Sequence, residues 1–268
     1  MKTIPILMYH QVDVPPPKGS AMRGLVVAPR TFFFHMACLW LLGYRGLSMG
    51  GLEPYLRGER QGRVFGITFD DGYANNLHRA LPVLQRFGFS STCYVVAGLV
   101  GQRNSWDAQH GIAQVPLMDA AQLQQWVNAG QEVGSHTMTH ARLPDLATDQ
   151  QQQEIAQSKQ ALEALVRQTS GVQHFCYPYG LYDASSLHAV QTTGYTTATT
   201  TARGRVHLNA QAHLLELPRV LMSRTTTWVH LLLKCFTSYE ERGIGRTPSL
   251  APHTDLEDVK TPQGEPRR

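Results

Sequence analysis

The chain has 268 residues, of which 42% are hydrophobic and 16% charged, with a formal net charge of +4; this suits one large domain with a sizeable core, or one domain with a tail. The cations, among them Arg219, Arg224, Lys234, Arg267 and Arg268, are scattered with no basic block, which excludes a nucleic-acid-binding surface. Cys38, Cys93, Cys176 and Cys235 are widely spaced with no CxxC pair, which excludes a disulfide framework and reads as reduced, mostly buried thiols.

From Met1 to His10 there is no secretory apolar region, and no stretch reaches the roughly 18–20 apolar residues of a membrane span. With this start, no transmembrane segment and a cytoplasmic location are expected. A strand is expected at 4–8, ending at Tyr9 and His10, followed by a Pro/Gly-rich loop at 15–19. Pro29 opens a helix through Leu42 that Gly43 stops, and a short amphipathic piece follows at 50–60. The apolar run at 64–69 reads as a buried strand that ends in Asp70-Asp71-Gly72. Leu77, Leu81, Leu84 and Phe87 recur at helical spacing across 75–87, with Gly88 as the stop. Further strands are expected at 91–96, 132–135, 172–176, 195–198 and 215–222. Helices alternate with them at 119–127 (capped by Asp119), 148–169, 185–192 and 228–239. The stretch 98–118, which contains Trp106, reads as a long loop over the site. Residues 1–242 are expected to form the catalytic domain and 243–268 a disordered tail. This alternation predicts parallel β/α units with functional loops at the strands' C-terminal ends.

Three stretches carry chemistry, and each follows an expected strand. Two adjacent carboxylates, Asp70 and Asp71, raise each other's pKa unless a cation relieves the repulsion. One could ligate a metal while the other stays free as a base. His136 and His140, four residues apart in Ser-His-Thr-Met-Thr-His, are expected on one face of a helical turn. With one carboxylate they would make a His₂-Asp metal site with open positions for water and substrate. Tyr177-Pro178-Tyr179-Gly180 reads as a turn whose backbone N–H groups could stabilise an oxyanion.

In this order and spacing, 68–73, 135–140 and 177–180 resemble the motifs of the polysaccharide deacetylases, the NodB-homology group or carbohydrate esterase family 4. The opening Leu7-Met8-Tyr9-His10-Gln11-Val12 is similar to the poly-N-acetylglucosamine deacetylase subgroup, whose general-acid motif is permuted to the N-terminus. The resemblance covers about 4–234. It implies an α/β fold, a distorted (β/α)7-type barrel, and removal of acetate from an N-acetylated sugar. It further implies Asp70 as catalytic base and Asp71, His136 and His140 as ligands of one divalent metal ion. Zinc comes first, with cobalt, nickel or iron as alternatives. Tyr179 would supply an oxyanion N–H. His10 is favoured as general acid over His230, whose helical setting suggests a bland amphipathic role.

Tyr73, Trp106, Pro178 and Arg219 are candidates for substrate binding. Trp106 could be a stacking wall for a sugar or an anchor for its loop. Arg219 could orient a catalytic carboxylate or form a surface ion pair. Many family members carry an arginine just before Pro-Tyr-Gly, where this chain has Cys176 and Tyr177. His35, His78, His188 and His213 are expected to be buried structural histidines. The expected partner is an N-acetylated carbohydrate: a nucleotide- or lipid-linked N-acetylhexosamine, or a glycan precursor. Two other readings are an allantoinase-like hydrolase of a non-sugar amide and a catalytically silent binding module. Nothing in the sequence fixes an oligomeric state.

Overall fold

The computed structural model describes residues 3–110, 112–208 and 213–241. The expected tail at 243–268 lies outside the described residues. Seven parallel strands close a barrel: β1 (Ile6–Tyr9), β3 (Val64–Phe69), β4 (Thr92–Val95), β5 (Glu132–Ser135), β6 (His174–Cys176), β7 (Thr197–Arg203) and β8 (Leu217–Leu221), with β2 (Arg45–Leu47) added outside the ring. The order around the ring is β1-β8-β7-β6-β5-β4-β3, and β3 returns to β1 through Ile6↔Gly66 to Tyr9↔Phe69. The barrel is distorted because β3 pairs with β2 along its first half and with β4 along its second. Helices α1 (Pro29–Leu41), α2 (Met49–Leu56), α3 (Ala74–Arg79), α4 (Leu81–Phe87), α5 (Ala120–Asn128), α6 (Thr148–Leu165), α7 (Ala184–Thr192) and α8 (Trp228–Phe236) surround it.

Prolines account for two departures from the expected elements. Pro5 splits the first strand, so that Thr3–Ile4 pairs antiparallel with Val206–His207 while β1 enters the barrel. Pro82 breaks the helix expected at 75–87 into α3 and α4. β2 was not expected; at three residues it is too short to show a pattern. Among the histidines, His35 is buried between the Tyr9 hydroxyl and the Thr226 carbonyl, with its pKa pushed down by burial to about 4. His78, His188 and His213 are exposed instead, because each lies outside the apolar stripe of its segment. No helix among the described residues is long and apolar enough to cross a membrane.

Strand alternation sorts the side chains into two cores. Phe65, Ile67 and Phe69 of β3, with Cys93, Val95, Val133, Phe175 and Val220, face the surrounding helices. Val64, Tyr94, Cys176 and Leu217 face inward with Ile6, and α2 plugs the lower end through Met49, Leu52, Tyr55 and Leu56. The interior is filled to the point that a Cβ at Gly134 would lie 2.6 Å from the Tyr94 ring. The same parity points Thr68 and Asp70 inward from β3, and Arg219 inward from β8.

Candidate active site

The site lies at the C-terminal ends of β1, β3, β5 and β6. Adjacent positions at the end of β3 receive opposite treatment. Asp70 continues the inward face of the strand, and its N–H is held by the Tyr9 carbonyl at 2.9 Å. Asp71 leaves the strand with φ at 76°, which turns its carboxylate toward the loop after β5. There Asp71 Oδ1 lies 3.5 Å from His136 Nε2 and 3.4 Å from His140 Nε2. One ligand atom from each of the three buried residues falls within 4.8 Å of the others.

His136 and His140 do not share a helical turn. Thr137 and His140 both adopt left-handed backbone, with φ of 64° and 62°, so a tight loop brings the imidazoles together. Glu154 of α6 holds that loop, accepting the N–H groups of Met138 (2.9 Å) and Thr139 (3.0 Å) and the Thr139 hydroxyl (2.9 Å). Glu154 had no signal in the sequence: it is one of three acids in a glutamine-rich helix. His136 Nδ1 lies 2.7 Å from the Cys176 carbonyl, which orients Nε2 toward Asp71. Three buried donors, two imidazoles and a carboxylate, with a partner fixing one ring, fit a single divalent cation.

Asp70 is held by Arg219 through two charge-assisted bonds, Nη1–Oδ1 at 2.6 Å and Nη2–Oδ2 at 2.8 Å. The remaining donors are engaged as well: Nε with the Thr200 carbonyl, Nη1 with Thr68 Oγ1 and Nη2 with Cys176 Sγ. Arg219 is fully buried and all five of its N–H groups are used, so it neither binds substrate directly nor forms a surface ion pair; it positions Asp70. Although the run before Pro178 carries no arginine, Arg219 comes from β8 to within 3.2 Å of Cys176 Sγ. Burial pushes the Asp70 carboxyl up, but the charge and hydrogen bonds of Arg219, with His10 and His136 behind them, leave it below the usual carboxylate range. Burial likewise opposes ionisation of Asp71, and the two histidines hold it well below.

His10 follows β1 and places Nε2 3.9 Å from Asp70 Oδ2. His230 instead sits exposed near the start of α8, bonded to Thr227. Tyr179 has φ at 58° in the turn after β6, and its ring meets His140 edge-on at 4.6 Å. The following Gly180 is obligatory, because a Cβ there would lie 2.1 Å from Thr201 Oγ1. Trp106 stacks on His140, with ring centroids 4.5 Å apart and planes at 23°, so one of its faces is taken by a residue of the Asp71–His136–His140 cluster. Tyr73 and Pro178 are buried in the loops that frame the mouth, and Tyr73 bridges to Leu117 to tie down the long loop.

A parallel seven-stranded barrel with a carboxylate–imidazole cluster and a clamped second carboxylate at its C-terminal mouth defines a hydrolase scaffold. Comparison with known proteins narrows it. The sequence model of the polysaccharide deacetylases matches residues 57–198. The chain is 30% identical over 219 residues to YxkH of Bacillus subtilis (strain 168), which is named among the polysaccharide deacetylases; the match spans 81% of this chain and 71% of that one. The deacetylase PplD of Streptococcus pyogenes, solved in complex with acetate, superposes with a TM-score of 0.75 at 26% identity, covering 87% of this chain and 98% of that one. BC0361, a polysaccharide deacetylase from Bacillus cereus, gives a TM-score of 0.71 at 26% identity, over 87% of this chain and 69% of its own. The chain belongs to the polysaccharide deacetylase family, a class of hydrolases that deacetylate carbohydrates.

Proposed function

We propose that this chain is a metal-dependent hydrolase that removes N-acetyl groups from an N-acetylhexosamine-containing glycan or glycan precursor. The observation that carries the reading is the division of labour at the end of β3: Asp71 faces two imidazoles, while Asp70 is clamped by an arginine with His10 nearby. Asp71, His136 and His140 would hold one divalent cation, zinc first by donor type, with cobalt, nickel and iron accepted by the same set. Such an ion supplies Lewis acidity, acidifying water and polarising the acetyl carbonyl.

Asp70, kept ionised by Arg219, takes the proton of the attacking water. The backbone N–H of Tyr179 donates to the oxygen that gains charge as the carbonyl becomes tetrahedral. His10 then delivers a proton to the departing sugar amine, which is a poor leaving group until protonated. Trp106, Tyr73 and Pro178 frame the mouth where the sugar would lie. The acetate bound by PplD, the product expected of a deacetylase, supports this reading.

The test is acetate release from free, oligomeric, nucleotide-linked and lipid-linked N-acetylglucosamine, with added metal, with chelator, and with Asp70→Asn. Chelator-sensitive release that falls about 10²–10⁴-fold in Asp70→Asn is expected. Stoichiometric bound metal without release from any of these sugars would move the assignment to a non-sugar amide.

A further inference from the structure

One wall of the barrel is apolar on its outer side. α1 buries Phe32, His35, Met36 and Leu39 against the core. Its opposite face is nevertheless Phe34, Trp40 and Leu41, which are 48%, 52% and 75% exposed. α8 repeats the pattern: Leu231 and Cys235 are buried, while Trp228 is 59% exposed and Leu233 and Phe236 also reach solvent. The two faces are continuous. Trp40 meets Phe87 of α4 with centroids 5.9 Å apart, and Tyr44, just after α1, meets Phe236 at 5.0 Å. A helix that is apolar all round is ordinarily covered on all sides, and a patch of this kind on a monomer marks a contact surface.

The charges of this wall indicate what covers it. α1, α3, α4 and α8 together contain no Asp or Glu. Their fixed charges are Arg30, Arg79, Arg86 and Lys234; Lys234 is already paired with Glu240 and Arg79 lies 4.0 Å from Asp13, which leaves Arg30 and Arg86 as the charges this wall presents. Arg30 and Arg86 do not stand away from the apolar surface: their guanidinium carbons lie 5.6 Å over the Phe34 ring and 5.5 Å over the Phe33 ring. Arginine draped over an aromatic ring keeps its charge at a polar boundary while the ring enters an apolar one. A second copy packing through the same face would set these arginines against one another with no acid to meet them.

We propose that the α1–α4–α8 wall is a peripheral membrane-binding surface for an anionic bilayer. Phe34, Trp40, Leu41 and Trp228 enter the boundary between headgroups and acyl chains, and Arg30 and Arg86 meet lipid phosphates. The helices run antiparallel to the strands, so the N-terminal ends of α1 and α8 lie at the site's end of the barrel. The mouth therefore opens alongside the bilayer. The proposal is independent of the enzymatic reading, since it concerns the outer wall alone.

The test is flotation of the full chain with vesicles of phosphatidylcholine, with or without phosphatidylglycerol, at low and high salt. Binding to the anionic vesicles that weakens with salt is expected, together with quenching of tryptophan fluorescence by brominated lipid. Arg30→Glu with Arg86→Glu should lower partitioning about tenfold or more. Trp40→Ser with Leu41→Ser should abolish it, with Trp228→Ser as an independent variant on the other helix. These side chains are exposed, so thermal unfolding should hardly move. Absence of flotation with either vesicle would overturn the proposal. So would a wild-type dimer in sedimentation that Trp40→Ser dissociates, which would make this wall a subunit interface.

Discussion

The barrel interior carries a buried carboxylate beside a basic side chain at each end, Asp70 with Arg219 and Glu132 with His174, and the two ends are built differently. At the top, Asp70 and Arg219 form a two-point pair beside the Asp71–His136–His140 cluster. At the bottom, Glu132 of β5 lies with Oε1 3.5 Å from His174 Nε2, while Oε2 accepts the Thr92 hydroxyl at 2.5 Å and the Gly50 N–H at 3.1 Å. His174 Nδ1 is in turn 2.9 Å from Thr197 Oγ1. The lower carboxylate is therefore a seal: it sits on the N-terminal end of α2, where N–H groups and the helix dipole favour an anion. A Cβ at Gly50 would fall 2.5 Å from Glu132 Oε1, so the helix end is closed onto the acid. Five described non-glycine residues have left-handed φ, and four of them (Asp71, Thr137, His140 and Tyr179) are at the top, none at the bottom. Burial and ion pairing alone do not separate a reactive end from a structural one in this molecule. Strained backbone does, because it persists only where the surroundings force side chains into a particular convergence.

The comparison is broken most severely at Arg219. Arg219→Met leaves Asp70 buried without its cation, a loss of about 3–5 kcal/mol for a broken buried pair, read as a lowered midpoint in denaturant. The pH dependence has a definite sign. In the wild type the Asp70 pKa is depressed, so its contribution to stability is present above the unfolded value of about 3.9 and lost as pH falls through the folded one. In Arg219→Met burial is no longer opposed by the guanidinium and the folded pKa rises. The penalty is then largest at neutral pH, and the stability gap to wild type should narrow on acidification. The acid limb of kcat/KM should move upward in pH in the same variant. A gap that stays constant with pH would mean that the pair does not control Asp70.

These residues differ in how far they can be read from sequence. Asp70, Asp71, His136 and His140 lie in two short local runs at strand ends, where the alternation of strands and helices already places a mouth. The role of Arg219 is not local: 149 positions separate it from Asp70, and only closure of the ring through β1 and β8 brings them together. The helical reading of 136–140 failed because Thr137 takes a left-handed φ that threonine does not advertise as glycine does. The Glu132–His174 seal was hidden because β6 is only three residues long, and His174 stood in a run read simply as strand.

The lower pair should behave as structure alone. Glu132→Ala orphans the Gly50 N–H and the Thr92 hydroxyl, at a cost of about 1–3 kcal/mol, while kcat/KM of the folded enzyme should remain within about twofold, a barrier change of about 0.4 kcal/mol or less. Burial raises the Glu132 carboxyl, but His174 and the hydrogen bonds from Thr92 and Gly50 bring it below its ordinary value. Its stabilisation is thus present above the unfolded pKa of about 4.3 and lost as pH falls through the folded one. Glu132→Gln should flatten the acid side of the stability profile without moving the pH–rate profile. A shifted rate profile would show that the two ends communicate along the barrel.

The smallest effect is expected at Trp106, and it sharpens what the mouth is for. The ring stacks on His140, and an aromatic contact of this kind is worth about 0.5–1.5 kcal/mol. Trp106→Leu should therefore cost about two- to tenfold, and the quantity that changes assigns the role. If Trp106 serves mainly to hold the His140 ring, the change appears in the metal dissociation constant, and KM at saturating metal is preserved. If its other face is the floor of a sugar subsite, KM rises at saturating metal, and more for oligomeric than for free N-acetylglucosamine. A change in neither would leave Trp106 as an anchor of the 98–118 loop, seen then only as a lower unfolding temperature.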